Sequence, residues 1–130
     1  MSREPVKILF VCMGNICRSP AAEAVMQSKL RTMGSEHLIA CDSAGTIDFH
    51  TGQPSDMRMR QAATKRGYDM TSRARQITSS DLKHFDHIFT VYAVSGRSPE
   101  ARALNEELFS HLMNVVVGLG DAPVILCCDL

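Results

Sequence analysis

The sequence predicts an α/β sandwich built around a mainly parallel sheet. Three features point there. Residues 6–11 (VKILFV) form a nearly continuous apolar run, which suits a strand buried on both faces, as parallel strands are. A short loop then leads into a helical pattern, the first half of a βαβ unit. Beyond it, strand-like and helix-like stretches keep alternating. The 130 residues read as a single domain over 1–130, long enough to bury a core.

Each element has a local reason. Pro20 suits a first helical position, with Ser19 before it as N-cap and Glu23 early in the helix, where the dipole favours an acid. Ala22, Val25, Met26, Leu30 and Met33 recur at helical spacing, and Gly34 supplies the stop. Residues 37–41 (HLIAC) read as a second strand, and the turn-rich residues 42–53 as a surface loop. Residues 54–66 read as a helix stopped by Gly67. Residues 71–76 read as a polar loop in which Arg73 and Arg75 face solvent. Ser79 and Ser80 are expected to cap a short helix holding Asp81, Leu82 and Lys83. Residues 87–91 (HIFTV) read as a third strand. Residues 99–113 read as a helix, with 115–117 and 124–128 as further strand candidates. Met57, Met59 and Met70 read as core filler, and His84 and His87 as solvated.

Composition narrows the function. Apolar residues make up 45% and charged residues 22%, the balance of a soluble globular protein. Fourteen basic residues offset fourteen acidic ones, so no bulk charge draws the chain to nucleic acid or to a membrane. The polar start MSREPVK precedes an apolar run too short for a signal peptide or a membrane span. The expected compartment is the cytoplasm. The five cysteines (Cys12, Cys17, Cys41, Cys127 and Cys128) are then expected as thiols rather than a disulfide framework. No metal site is expected. Cys12 and Cys17 have clip-like spacing, but a second pair would need His84 with His87, or the adjacent Cys127 and Cys128, which suit one tetrahedral ion poorly.

The loop VCMGNICRSP carries the chemistry. Ligands of such folds bind at the carboxyl ends of strands, where Cys12 falls. A helix N-terminus offers free backbone N–H groups and partial positive charge, and the loop entering it aims more N–H groups at one point. Gly14 is expected to supply a positive φ for this cradle. Arg18 adds a fork that matches two phosphate oxygens. A thiolate at Cys12 beneath a bound phosphate invites attack at phosphorus. Ser19 can donate a hydrogen bond to that sulfur and ease its departure. The C-x5-R-[ST] spacing thus joins nucleophile, cradle and cation in eight residues. A Walker A loop would need a Lys after its last Gly, which is missing. The bland alternative, in which Cys12 is only a small residue ending a strand, leaves Arg18 buried without a partner.

The segment VCMGNICRSPAAEAV resembles the signature of the low-molecular-weight protein tyrosine phosphatases. The similarity continues through CDSAGT, DFHTGQPSDMRM, SRARQ and FDHIFT, over about residues 5–90. The resemblance implies a three-layer sandwich with a four-stranded parallel sheet. It implies hydrolysis of phosphotyrosine and small aryl phosphates without a cofactor, releasing inorganic phosphate. Cys12 would be the nucleophile and Arg18 the cation that stabilises the transferring phosphoryl group. Backbone N–H groups of Met13, Gly14, Asn15, Ile16, Cys17 and Arg18 would complete the cradle, with Ser19 at its end. Asn15, Ser19 and Ser43 would hold the loop's shape. Cys17 would pair reversibly with Cys12 against over-oxidation. Asp48 and Phe49 would form the rim, Phe49 stacking on the substrate ring; His50 follows them.

The resemblance weakens after Val91. The family's general acid lies in an Asp-Pro-Tyr-Tyr segment. Here Asp129 follows an apolar run, as that acid does, but Leu130 replaces the proline and the aromatic pair is missing; Asp121 is the weaker candidate. Ser72 stands where the family often has histidine, and Val91 to Ser95 replaces Met-Asp-x-x-Asn. The family's last helix has no counterpart. The expectation is a chain truncated or divergent after about residue 90, whose uncovered sheet face favours self-association. Two rival readings remain. One is a phosphate-binding pseudophosphatase that lacks an acid. The other is a thiol-coupled arsenate reductase, disfavoured because no cysteine lies between Cys41 and Cys127.

Overall fold

The computed structural model describes residues 4–93 and 126–128. In chain order the elements are β1 (Val6–Cys12), α1 (Arg18–Met33), β2 (Ile39–Gly45), α2 (Met57–Lys65), α3 (Ser79–His84), β3 (His87–Ala93) and β4 (Leu126–Cys128). The strands pair in parallel in the order β2-β1-β3-β4. The class is the α/β one that the sequence predicts. The expected helix 99–113 and strand 115–117 lie outside the described residues, as do Asp121 and Asp129.

β1 is central, and its alternation builds two faces. Ile8 and Phe10 pack with Ala22, Met26 and Leu30 of α1, and with Ile39, Phe89 and Val91. Leu9 and Val11 point the other way, onto Ala44, Ile77 and Phe85. α2 rests on α1 rather than on the sheet, through Ala21, Ala24, Ala63 and Met70. Each large apolar side chain of this core contributes about 1.5–3 kcal/mol by leaving water. Because β2 lies on one side of β1 and β3 on the other, the connections diverge at β1. That divergence opens a crevice at the carboxyl end of β1, where Cys12 sits.

Several boundaries differ from expectation. α1 begins at Arg18, with Cys17 as its N-cap and no side chain capping it. Ser19 is therefore inside the helix, because its hydroxyl is engaged by Cys12 and Asn15 instead. Pro20 sits at the third helical position, where its missing N–H costs nothing. Met33 is 56% exposed, past the last turn that reaches the sheet. Gly34 does stop the helix, in the left-handed conformation at φ 67°.

β2 runs two residues later and four residues further than expected. Asp42, Ser43, Ala44 and Gly45 read as loop by composition, but they stay in register with Leu9 to Cys12 of β1. α2 starts at Met57, three residues late, where the Asp56 side chain accepts from Met59 N–H. α3 is capped by Thr78 in a reciprocal box with Asp81, not by Ser79 or Ser80. Met70 is buried as expected, whereas Met57 is exposed.

Candidate active site

Residues 13–17 form the loop between β1 and α1, at the crevice. Neighbouring segments clamp its backbone. Thr46 N–H donates to Cys12 O (2.9 Å), Ile47 N–H to Met13 O (3.1 Å) and Asp56 N–H to Ile16 O (2.8 Å). With the Met13 and Ile16 carbonyls engaged from outside, these peptide units can turn their N–H sides toward an anion. The first turn of α1 has no side-chain cap, so no capping side chain occupies its N–H groups.

The positive φ falls on Asn15 (58°), not on Gly14. Asparagine tolerates this conformation, and here its amide is fully used. Asn15 Nδ2 donates to Ser19 Oγ (2.8 Å) and to Ser43 Oγ (3.0 Å). Its Oδ1 accepts from Arg75 N–H (3.0 Å). Gly14 has a different use: a Cβ there would come 3.1 Å from the His50 ring, so glycine lets His50 sit against the loop. Gly45 is tighter still, since its Cβ would lie 2.7 Å from Met13 O.

Cys12 is buried, and its Sγ lies 3.0 Å from Ser19 Oγ. Ser19 Oγ also lies 3.4 Å from Ala44 O. The geometry therefore brings Cys12, Asn15, Ser19 and Ser43 together as one buried network. Arg18 sits partly exposed in the first turn of α1. Among the described residues, none forms an ion pair with its guanidinium. Phe49 is 77% exposed beside the loop and meets the His50 ring edge-on at 4.8 Å. Asp48 is exposed on the same segment. Asp129 lies outside the described residues.

Cys17 is half-buried, and its thiol is pushed up by that burial, then by Asp56 and by Cys12, with Arg18 and Arg58 opposing. Cys41 is held in its thiol form: burial first, then Glu23 and Asp42, push it up to about 12. Among the described residues, no three His, Cys, Asp or Glu side chains are placed to hold a metal ion. No described helix is long and apolar enough to cross a membrane.

Sequence reading missed two supports. Arg75 is not a solvated side chain. It forks onto Asp81 (2.9 and 3.0 Å) and reaches Asp42 (3.1 Å). The hydrogen bonds to Asp81 raise Arg75 further, and the same bonds hold Asp81 below the ordinary carboxylate range. The T-x-x-D spacing of Thr78 and Asp81 was the available signal for that acid. Glu23 is the second: it is buried and accepts from Ser43 Oγ at 2.6 Å, rather than serving the helix dipole.

Comparison with known proteins finds relatives in both sequence and fold. The family profile described as low molecular weight phosphotyrosine protein phosphatase matches residues 7–116. A low molecular weight phosphotyrosine protein phosphatase of Schizosaccharomyces pombe is 41% identical over 87 residues, covering 66% of this chain and 56% of that protein. The Homo sapiens protein of the same name is 42% identical over 81 residues, covering 62% of this chain and 51% of that one. A crystal structure of a protein tyrosine phosphatase from Entamoeba histolytica, with Hepes in the active site, superposes with a TM-score of 0.64 at 52% identity, covering 65% of this chain and 55% of that chain. The chain spans about half the length of the curated relatives it matches. With the family profile matched from the first strand onward, and the cradle built as described, the chain belongs to the low molecular weight phosphotyrosine protein phosphatase family.

Proposed function

We propose that this chain hydrolyses phosphotyrosine and small aryl phosphates through a cysteinyl-phosphate on Cys12. One observation carries the reading: Cys12 Sγ, at the end of β1, lies 3.0 Å from Ser19 Oγ, beside a loop whose Met13 and Ile16 carbonyls are engaged from outside. The phosphate is held by the N–H groups of residues 13–18, and Arg18 neutralises its equatorial oxygens as charge shifts in the transition state. The sulfur attacks phosphorus, the S–P bond forms and the bond to the phenol oxygen breaks. Asp129 is the proposed acid that gives its proton to the leaving phenolate. Water then attacks phosphorus and passes a proton to the same carboxylate. The S–P bond breaks, inorganic phosphate leaves, and Ser19 stabilises the departing thiolate.

The exposed Phe49 supports an aromatic substrate, since a ring can stack on it at the mouth. Asp48 completes the proposed rim, and Cys17 is the proposed redox partner of Cys12. The proposed reaction uses no metal or organic cofactor, and the proposed compartment is cytoplasmic, where Cys12 stays reduced. Neither nucleic acid nor membrane is a proposed partner.

The test is an acid quench after mixing with a phosphotyrosine peptide, followed by peptide mass analysis. The reading predicts one phosphoryl group on the peptide carrying Cys12, lost in Cys12→Ser. An intermediate that accumulates and barely hydrolyses would instead favour the pseudophosphatase reading. A folded chain that never acquires the phosphoryl group would overturn the catalytic claim.

A further inference from the structure

Basic charge is concentrated on one segment of this neutral chain. Residues 56–75 hold six of the fourteen basic residues and only two of the fourteen acidic ones. Arg75 is engaged by Asp42 and Asp81, and Arg73 donates to Gly52 O at 3.0 Å. The other four, Arg58, Arg60, Lys65 and Arg66, lie on α2 or at its C-cap, and α2 itself contains no acid. Helix stability explains some of this placement but not all. Lys65 and Arg66 sit at the carboxyl end, where the helix dipole favours cations. Arg60 donates from Nε to Ser55 O at 2.9 Å. Arg58 is at the second helical position, where the dipole opposes a cation. Its side chain is 93% exposed, and among the described residues its only ion pair is with Asp56, at 3.9 Å.

Arg58 does stand beside the cradle. Asp56 N–H donates to Ile16 O at 2.8 Å and so fastens the start of α2 to the 13–17 loop. Burial pushes the Cys17 thiol up, and Arg58 is near enough to oppose this. Lys65 follows seven residues later, two turns along the same outer face and about 10 Å from Arg58. Ala63 turns the other way, onto Ala21 and Ala24 of α1. An extended peptide advances about 3.3 Å per residue, so its side chain opposite Lys65 is about three residues beyond the one opposite Arg58.

We propose that the outer face of α2 docks an acidic flank of a phosphotyrosine peptide: Arg58 meets carboxylates next to the phosphotyrosine, and Lys65 meets those about three residues further out. The phosphotyrosine end rests on the phosphatase reading; the basic stripe does not. Charge complementarity selects this occupant. On the rim segment the exposed Asp48 repels an acidic flank, which leaves the flank to α2. Outside residues 56–75 the chain holds twelve acidic residues against eight basic ones, so a long polyphosphate is repelled beyond the stripe.

The test reads binding rather than turnover. The full 130-residue chain carrying Cys12→Ser is titrated into fluorescently labelled peptides, and anisotropy gives the affinity. Each peptide has one phosphotyrosine in an alanine–serine background. A pair of glutamates is placed either next to it or about three residues further out, on one side or the other, and unphosphorylated copies are made of all. On one side, each glutamate pair should tighten binding about fivefold at about 0.01 M salt, and less at about 0.15 M. Arg58→Gln should remove the gain from the near pair, and Lys65→Gln the gain from the far pair, each leaving the other in place. Both side chains are exposed, so neither change threatens the fold. Glutamates that give no gain on either side overturn the proposal. So does an equal loss for every peptide in both variants, since that marks a diffuse field and not a docked flank. Single-stranded RNA that binds as tightly, with the same dependence on Arg58 and Lys65, would make the stripe a nucleic-acid surface and also overturn it. If glutamates tighten binding but the phosphate adds nothing, the stripe stands and the phosphotyrosine reading falls. If the phosphate adds affinity and the glutamates add none, the reverse holds.

Discussion

The backbone N–H of Arg75 donates to Asn15 Oδ1 at 3.0 Å, across 60 positions of sequence. That bond fixes which face of the amide meets Ser19 and Ser43. It also ties the 13–17 loop to the Arg75–Asp81 pair and so to the start of α3. The loop's conformation is thus held from a distant segment, not by its own residues alone.

Asn15→Ala removes three hydrogen bonds and leaves an alanine in the left-handed conformation. The expected loss of stability is roughly 2–4 kcal/mol, read by urea unfolding. Asn15→Gly should recover about 1 kcal/mol of that, the backbone part only. Equal losses in the two variants would show that the conformation at Asn15 stores no strain.

Gly45→Ala should distort the cradle from behind. The added Cβ would meet Met13 O at 2.7 Å, Asn15 N at 3.1 Å and Gly14 C at 3.1 Å, all backbone. Overpacking of this kind costs about 1–3 kcal/mol. Weaker competitive inhibition by inorganic phosphate is the direct readout, with the melting temperature as control.

Legibility in the sequence followed how local each signal was. β1, the loop and α1 could be read because the apolar run, the cysteine–arginine spacing and Gly34 lie within thirty residues. The last residues of β2 could not, because Asp42 and Ser43 are polar and only pairing with β1 makes them strand. The same limit hid Arg75 and Glu23. A charged residue looks solvated until the fold places its partner, here Asp81 for one and Ser43 for the other. Glycine adopts a positive φ freely, so sequence alone points to Gly14; the positive φ belongs to Asn15, whose three hydrogen bonds offset the backbone cost.

Asp81 should govern acid stability. Its folded value is held below the ordinary 3.8 by Arg75, so the folded chain binds fewer protons than the unfolded one in that window. The stabilisation is present above 3.8 and lost as pH falls through the folded value. Asp81→Asn should therefore melt earlier at neutral pH and lose less of its melting temperature between about pH 5 and pH 3 than the parent chain. Parallel melting curves would contradict this.

Glu23 should act with the opposite sign. Burial raises its folded value above 4.5, so the folded chain binds the extra proton. Its contribution is full below 4.5 and is lost as pH rises through the folded value. Glu23→Gln should remove that decline, so its melting temperature should fall less than that of the parent chain between about pH 4.5 and pH 7.

The central claim is that Cys12 is a working nucleophile, and rapid-mixing hydrolysis of p-nitrophenyl phosphate tests it most directly. The account predicts a burst of p-nitrophenol stoichiometric with protein, then steady turnover, both abolished in Cys12→Ser. Release that survives Cys12→Ser, or no release at all from the folded parent chain, would contradict it.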